Sequence, residues 1–268
     1  MTSESGALDR RRALGLLLGG GVLIGACASS SGSRAGGSAT TSTSRATSSA
    51  TTATETAEDC PTEIPEETNG PFPADGTNGP DVLDQDGVVR RDIRSSFGDL
   101  TGTAEGIALA LSLRVVDLDG CTPKEGAAVY VWHCDREGRY SLYSSGATDQ
   151  NYLRGVQVTG ADGAASFTSI FPGCYAGRWP HVHFEIYPDL ATARAGGSHV
   201  TSQLAFPEAT CDAVYATDGY ESSVTNLARL SLDSDMVFGD GYANQLATMS
   251  GDPSSGYSAS LPVGVRTL

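Results

Sequence analysis

The sequence has few basic residues and no long apolar stretch. Its 17 lysine and arginine residues stand against 32 aspartate and glutamate residues, which gives a net charge of −15. A surface this acidic argues against nucleic-acid binding and against electrostatic docking on anionic lipid. The apolar run over residues 13–26 is too short for a comfortable membrane span. Any membrane attachment is therefore expected through a lipid rather than through the folded surface.

Zinc-knuckle spacing and helical periodicity are also missing. No two of the six cysteines are separated as Cys-x-x-Cys, so a structural zinc knuckle is not expected. After residue 60, apolar residues hardly ever recur with the period of a helix, and no internal repeat is evident. These absences favour a single domain built from strands.

The first 27 residues predict an export signal. An arginine cluster, Arg10–Arg12, precedes the apolar run, which ends in Ile24-Gly25-Ala26-Cys27. This ending is similar to a bacterial lipobox, in which Cys27 is the lipidated residue. The arginines resemble a twin-arginine signal, although an ordinary signal peptide with incidental arginines is the alternative.

The next segment, residues 28–58, consists almost entirely of Ser, Thr, Ala and Gly. Such a composition cannot bury enough apolar surface to offset the entropy of ordering, so it predicts a disordered tether. We expect residues 59–268 to form the catalytic domain. The protein would then be exported and lipid-anchored at Cys27 on the extracytoplasmic face of a bacterial membrane.

Five cysteines remain besides Cys27, an odd number for an oxidising compartment. At most two disulfides can form, and fifteen arrangements are possible. The sequence does not select among them. The five are Cys60, Cys121, Cys134, Cys174 and Cys211.

Short strands punctuated by Gly and Asp dominate the domain. Strands are predicted over residues 107–116, 127–134, 164–168 and 181–187, and a short helix or turn over residues 208–215. The predicted fold class is all-β: an antiparallel β-sandwich with long loops and little helix.

Two of the four histidines form a His-x-His pair, His181 and His183, in a predicted strand. Alternate side chains of a strand point to the same face, so both imidazoles can reach one metal ion. Tyr175 lies six positions upstream, and Arg178 lies between them. Two imidazoles together with phenols indicate ferric iron, because a hard trivalent cation favours anionic oxygen donors.

Three motifs carry a resemblance to a known family. They are Trp132 with Gly138 and Tyr140, then Pro172-Gly173-Cys174-Tyr175, then Arg178-x-x-His181-x-His183. In this order and spacing the chain resembles the intradiol aromatic-ring dioxygenases. The resemblance implies one Fe(III) per chain. Its ligands would be Tyr140, Tyr175, His181 and His183.

The resemblance also implies roles in catalysis. Tyr175 would leave the iron and accept a substrate proton, Arg178 would stabilise negative charge on the substrate ring, and Gln203 would lie near that arginine. Taken singly, each has a structural alternative: tyrosines often only pack in a sandwich, and Arg178 could pair with a surface acid. The two tyrosine motifs and the His-x-His pair together favour a metal site.

The function implied is that of an Fe(III) dioxygenase that uses O2 to cleave a catechol-type ring between its two hydroxyls, giving a muconate-type diacid. The spacing from Tyr175 to His181 is shorter than in well-known members of the family and points to a compact variant. Together with the lipobox-like ending at Cys27, it indicates an exported lipoprotein subgroup. One alternative is a non-catalytic lipoprotein that binds ferric iron or ferric catecholates, and another is a metal-free sandwich module. The sequence names neither the catechol nor the oligomeric state.

Overall fold

Strands account for most of the regular structure in the computed structural model, which describes residues 60–197 and 199–266. Nine strands, three short α-helices and two 3-10 helices, Leu232–Ser234 and Phe238–Asp240, occur within these ranges. The strands are β1 (Ala108–Asp117), β2 (Thr122–Pro123), β3 (Ala128–Trp132), β4 (Arg154–Val158), β5 (Ala164–Ile170), β6 (His181–Tyr187), β7 (Val200–Ala205), β8 (Thr248–Asp252) and β9 (Gly256–Val265). The helices are α1 (Leu190–Arg194), α2 (Glu208–Tyr215) and α3 (Glu221–Leu227). The predicted signal and tether lie outside the described residues.

The strands form two sheets. One has the order β2-β1-β9-β8, with β5 also paired to β1, and the other has the order β4-β3-β6-β7. The pairs are antiparallel except β1 with β9, which run parallel. A parallel pair needs a long connection, and β9 is the last strand of the chain. The predicted all-β sandwich with little helix is confirmed, and this one pair departs from the antiparallel expectation.

The core between the sheets follows from the two-residue period of the strands. Alternate residues of β6, such as Val182 and Phe184, join one apolar cluster with Leu111 and Leu113 of β1. The intervening residues of β6 therefore point away from this core, to the outer face of the four-stranded sheet.

That outer face is covered rather than open to water. Tyr130 and Trp132 of β3 pack there in a second apolar cluster with Ala74, Val88 and Phe97 from the segment before β1. All seven residues of β6 are consequently buried. Polar side chains on the outer face of β6 are thus enclosed by the early part of the domain.

The predicted strand over residues 181–187 coincides with β6, and the predicted helix or turn over residues 208–215 is the helix α2. β2, β4, β7, β8 and β9 were not predicted. β2, β4, β7 and β8 are short or mix polar and apolar residues without clear alternation, whereas β9 alternates buried and exposed residues over most of its length and was overlooked. No helix within residues 60–197 or 199–266 combines the length and apolarity needed to cross a membrane.

One disulfide joins Cys60 to Cys121 across 61 positions. It ties the start of the described chain to the turn that follows β1. Cys134, Cys174 and Cys211 are free and buried. One disulfide and three free thiols agree with the expected maximum of two disulfides among these five cysteines.

Removing this disulfide should destabilise the domain. Closing a loop of this length restricts the unfolded chain, so we expect the Cys60→Ala/Cys121→Ala variant to lose about 4 kcal/mol in its free energy of unfolding. Urea denaturation measures the loss. A reductant should lower the stability of the wild type and leave the double variant unchanged, and equal stabilities without reductant would contradict this expectation.

Candidate metal centre

The two histidines lie on the outer face of the four-stranded sheet, in the middle of a row of paired residues. His183 pairs with Trp132 of β3 on one side and with Gln203 of β7 on the other, and Trp132 in turn pairs with Arg154 of β4. The Trp132 and His183 rings are stacked, with centroids 4.8 Å apart. His181 shares this face because it lies two residues before His183. The alternation of β6 therefore brings both imidazoles to one place.

Tyr140 reaches this place from the loop after β3. The Asp135 carboxylate accepts hydrogen bonds from the Glu137 and Arg139 backbone N–H groups, which folds the loop into a tight turn. Gly138 has φ +81°, a conformation that favours glycine, and a Cβ there would lie 3.0 Å from the Cβ of Tyr175. Gly138 thus lets the two tyrosine-bearing segments touch.

Tyr175 is presented by the Pro172–Gly173 turn. A Cβ on Gly173 would lie 2.4 Å from the Arg136 carbonyl oxygen, so only glycine fits against the first tyrosine loop. Helix α3 supports the turn from behind. Ser223 accepts from the Cys174 N–H at 2.9 Å, and the Asn226 amide donates to the Cys174 carbonyl at 2.7 Å.

The four predicted ligands converge. The His181 Nε2 atom lies 3.0 Å from His183 Nε2, 3.2 Å from Tyr140 Oη and 3.3 Å from Tyr175 Oη. The two phenol oxygens are 3.5 Å apart. Tyr140 and both histidines are buried, whereas Tyr175 is partly exposed.

Hydrogen bonding fixes the tautomer of His181. Its Nδ1 lies 2.5 Å from the Trp179 carbonyl oxygen, which can only accept, so Nδ1 carries the proton. Nε2 is then left with a free lone pair that points at the other three donors. An imidazole oriented by a second hydrogen bond in this way is typical of a metal ligand.

Burial disfavours charge on every one of these groups. It raises the pKa of Tyr175 to about 12 and that of Tyr140 well above its ordinary value. It lowers the pKa of His181 to about 3, and the positive charge of Arg178 lowers this pKa in the same direction by a smaller amount. It also lowers the pKa of His183 well below its ordinary value. The imidazoles are therefore neutral at physiological pH, and the phenols could ionise there only beside a cation.

The donor set fits a metal ion. Donors about 2.1 Å from one metal, at angles of roughly 90° to 120°, lie about 3.0 to 3.6 Å from each other. The observed separations of 3.0 to 3.5 Å match this range. Within the described ranges no group of three or more His, Cys, Asp or Glu side chains could hold a metal. Two phenols and two imidazoles remain as the candidate donors, a set that favours a hard trivalent cation.

The predicted catalytic residues Arg178 and Gln203 are hydrogen-bonded to each other. Arg178 Nη2 donates to Gln203 Oε1 at 2.6 Å, and Gln203 Nε2 donates to the Thr68 carbonyl at 2.8 Å. Arg178 is buried, and its Nε donates to Asp235 at 3.0 Å. The arginine is thus held within the fold, and the surface interpretation of Arg178 is wrong.

Arg154 supports the first tyrosine loop. It is buried, and it donates to the hydroxyl and the carbonyl oxygen of Ser141, the residue after Tyr140. It also donates to the Pro73 carbonyl at 2.9 Å. Arg154 has no role in the sequence-based predictions.

The segment before β1 closes over the centre. A Cβ on Gly70 would lie 3.2 Å from His183 Cε1, and Gly70 has φ +69°. The Phe72 ring lies 5.0 Å from the Tyr140 ring. This segment therefore packs directly against two of the four candidate ligands.

Several supporting residues were missed by sequence reasoning: Asp135, Ser223, Asn226 and Asp235. Only Asp135 has a local signal, an Asp before a Glu-Gly turn. The others lie about 50 to 60 positions from the residues they contact, so no local pattern points to them. His133, which the sequence places outside the ligand set, hydrogen-bonds Ser169 instead.

Comparison with known proteins shows that the chain is similar to dioxygenases. A family model described as "Dioxygenase" matches residues 78–236. An intradiol ring-cleavage dioxygenase from Tetranychus urticae superposes with a TM-score of 0.60 and 26% identity, over 77% of this chain and 96% of that chain.

Curated relatives match over shorter stretches. A chlorocatechol 1,2-dioxygenase from Rhodococcus opacus is 44% identical over 20% of this chain and 21% of its own length. A hydroxyquinol 1,2-dioxygenase from Rhizobium sp. (strain MTP-10005) is 37% identical over 26% of this chain and 24% of its own length. The chain thus matches about a quarter or less of the length of these two relatives.

The contact between Gly138 and Tyr175 can be tested directly. We expect Gly138→Ala to weaken iron binding about tenfold, because the new methyl group displaces Tyr175. The matched control is Gly177→Ala, which also has positive φ (+90°) but nothing within 4 Å of its Cβ. Iron titration followed by absorbance measures both variants. Equal losses of affinity would show that backbone strain, and not the contact, is responsible.

Proposed function

The chain belongs to the family of intradiol ring-cleavage dioxygenases, and we propose that it is a non-haem Fe(III) enzyme that cleaves a catechol-type ring between its two hydroxyls. Both atoms of O2 would enter the product, a muconate-type diacid. The proposal rests on the matching family model and on the distant, partial relatives named above. The particular catechol is left to experiment.

The single observation that carries the proposal is the convergence of two phenols and two imidazoles. The four donor atoms come from three separate segments, and each lies within 3.5 Å of at least one other donor. Burial disfavours the charged form of each group in the absence of a cation. Side chains that only packed in the core would not need to bring their polar atoms together. Tyr140, Tyr175, His181 and His183 would hold the iron.

Iron bound there supplies a Lewis-acid centre for a chelating catechol and its reaction with O2. The protein's part begins with proton transfer. Ionised beside the bound cation, Tyr175 Oη would leave that cation and accept one of the two catechol protons, because Tyr175 is the partly exposed phenol of the pair, and the second proton would pass to water. Away from the cation, burial raises the pKa of Tyr175 to about 12, so the phenol would retain this proton. Tyr140 and the two histidines, which are buried, keep their positions.

Arg178 stabilises negative charge that develops on the substrate ring. Its guanidinium is held by Gln203 and Asp235, so it is oriented before the substrate binds. The Phe238 ring lies 5.9 Å from that guanidinium and 6.5 Å from the His181 ring, and it forms an apolar wall beside both. Such a wall excludes water from the reacting groups.

Oxygen consumption with a panel of catechols tests this function. We expect about one O2 consumed per ring cleaved, a muconate-type absorbance, and about one iron per chain. Tyr140→Phe should abolish the visible phenolate-to-iron band and lower kcat by at least about 100-fold, because it removes a ligand.

Tyr143→Phe is the matched control. Tyr143 also packs against Phe72, but its hydroxyl bonds Ala74 and Asn78 and not the donor cluster. It should keep the band and the turnover. Full colour and activity in Tyr140→Phe would refute the ligand set, and a wild type that binds ferric iron without consuming O2 would favour the non-catalytic binding protein.

The proposed location is the extracytoplasmic face of a bacterial membrane. It is supported by the lipobox-like sequence before Cys27 and by the Cys60–Cys121 disulfide, which suits an oxidising compartment. Cys27→Ala should move the protein from the membrane fraction to the soluble extracytoplasmic fraction. Unchanged fractionation of this variant on immunoblots would contradict the lipid anchor.

A further inference from the structure

Asp235 is a buried carboxylate between α3 and β8 that no sequence motif marks. Its side chain has no exposed surface, and it accepts four hydrogen bonds. Oδ2 accepts from Arg178 Nε at 3.0 Å and from the Trp179 backbone N–H at 2.7 Å. Oδ1 accepts from the backbone N–H groups of Val237 at 2.8 Å and Phe238 at 3.2 Å. One carboxylate thus joins two segments about 57 positions apart.

The first segment leads to the metal centre. Asp235 holds the charged group of Arg178 through Nε, while Gln203 holds it through Nη2, so the guanidinium is fixed from two sides. The Trp179 residue held by the same carboxylate supplies the carbonyl that orients His181. A buried cation such as Arg178 depends on an anionic partner to keep its place.

The second segment, residues 237–238, carries the Phe238 ring that forms the apolar wall beside Arg178. The bonds to Val237 and Phe238 shape the turn that sets the Phe238 ring against Arg178 and His181. Asp235 therefore holds both the Arg178 guanidinium and the turn that carries Phe238, and so fixes their relative positions.

We propose that Asp235 is a positioning residue of the ring-cleavage site, which fixes the Arg178 guanidinium and the Phe238 ring relative to the metal-binding cluster. The role in catalysis rests on the proposed function, whereas the role in holding Arg178 does not. Asp235 acts through Arg178 and does not itself touch the reacting atoms.

The structural part is tested by NMR of protein labelled with 15N-arginine. In the wild type the Arg178 Nε–H should exchange slowly with water, because it is buried and hydrogen-bonded. Asp235→Ala should speed this exchange at least about tenfold. The matched control is Asp233→Asn, an exposed carboxylate two residues away, which should change nothing.

The catalytic part is tested by a double-mutant cycle. We expect Asp235→Ala to lower kcat about 10- to 100-fold while iron content and the visible band are kept. In an Arg178→Met background the same change should cost no more than about threefold, because the guanidinium is already gone and only the Phe238 ring is left for Asp235 to position. If the Ala variant does not fold, Asp235→Asn takes its place in the cycle. This variant keeps the side-chain volume and one acceptor oxygen, so it should show the same pattern more weakly.

Unchanged Arg178 exchange in Asp235→Ala, or losses of kcat that multiply in the double variant, would overturn the proposal. A second outcome separates the two proposals. If the wild type consumes no O2, while its Arg178 Nε–H exchanges slowly and Asp235→Ala speeds that exchange, the proposed function is overturned. The positioning of Arg178 by Asp235 would stand in that case.

Discussion

Four donor atoms on which burial disfavours charge each lie within 3.5 Å of at least one other, and much of the surrounding structure serves to keep them there. β6 supplies two of them from one face. The other two come from loops that would drift apart without the close contact that Gly138 and Gly173 permit. Helix α3 then fixes the second loop through its backbone. Bringing a cation to this place converts an unfavourable gathering of buried polar groups into a stable one.

The sandwich makes this arrangement possible because both faces of its smaller sheet are covered. An antiparallel sheet commonly leaves one face to water. Here the segment before β1 lies over the second face, so a transverse row of polar side chains, Arg154, His183 and Gln203 among them, is buried. Each needs partners, and the loops provide them: Ser141 and Pro73 for Arg154, Thr68 for Gln203. The covering segment therefore helps to build the site as well as enclosing it.

Local patterns predicted the parts of this structure that depend on local physics. The strand periodicity placed β6 at residues 181–187 and put both histidines on one side of it. The Pro-Gly-x-Tyr and Gly-x-Tyr motifs marked Tyr175 and Tyr140 through the family resemblance. β4 and β7 were missed because their own alternation is weak. The other missed features depend on distant contacts: the parallel β1–β9 pair and the support of Cys174 by α3 and of Arg178 by Asp235. Sequence separation of about 50 residues or more hides such pairs from any local pattern.

The disulfide between Cys60 and Cys121 also determines how a mechanical load would enter the domain. Tension applied to the chain before residue 60 has two covalent routes, through residues 61–120 or across the sulfur bridge into the turn after β1. The bridge is the shorter and stiffer route, so the pull passes into the sheet of β1. Residues 69–75, which include the Gly70 and Phe72 contacts to His183 and Tyr140, are bypassed. Chain motion on the N-terminal side can thus pull on the domain without lifting the cover from its centre.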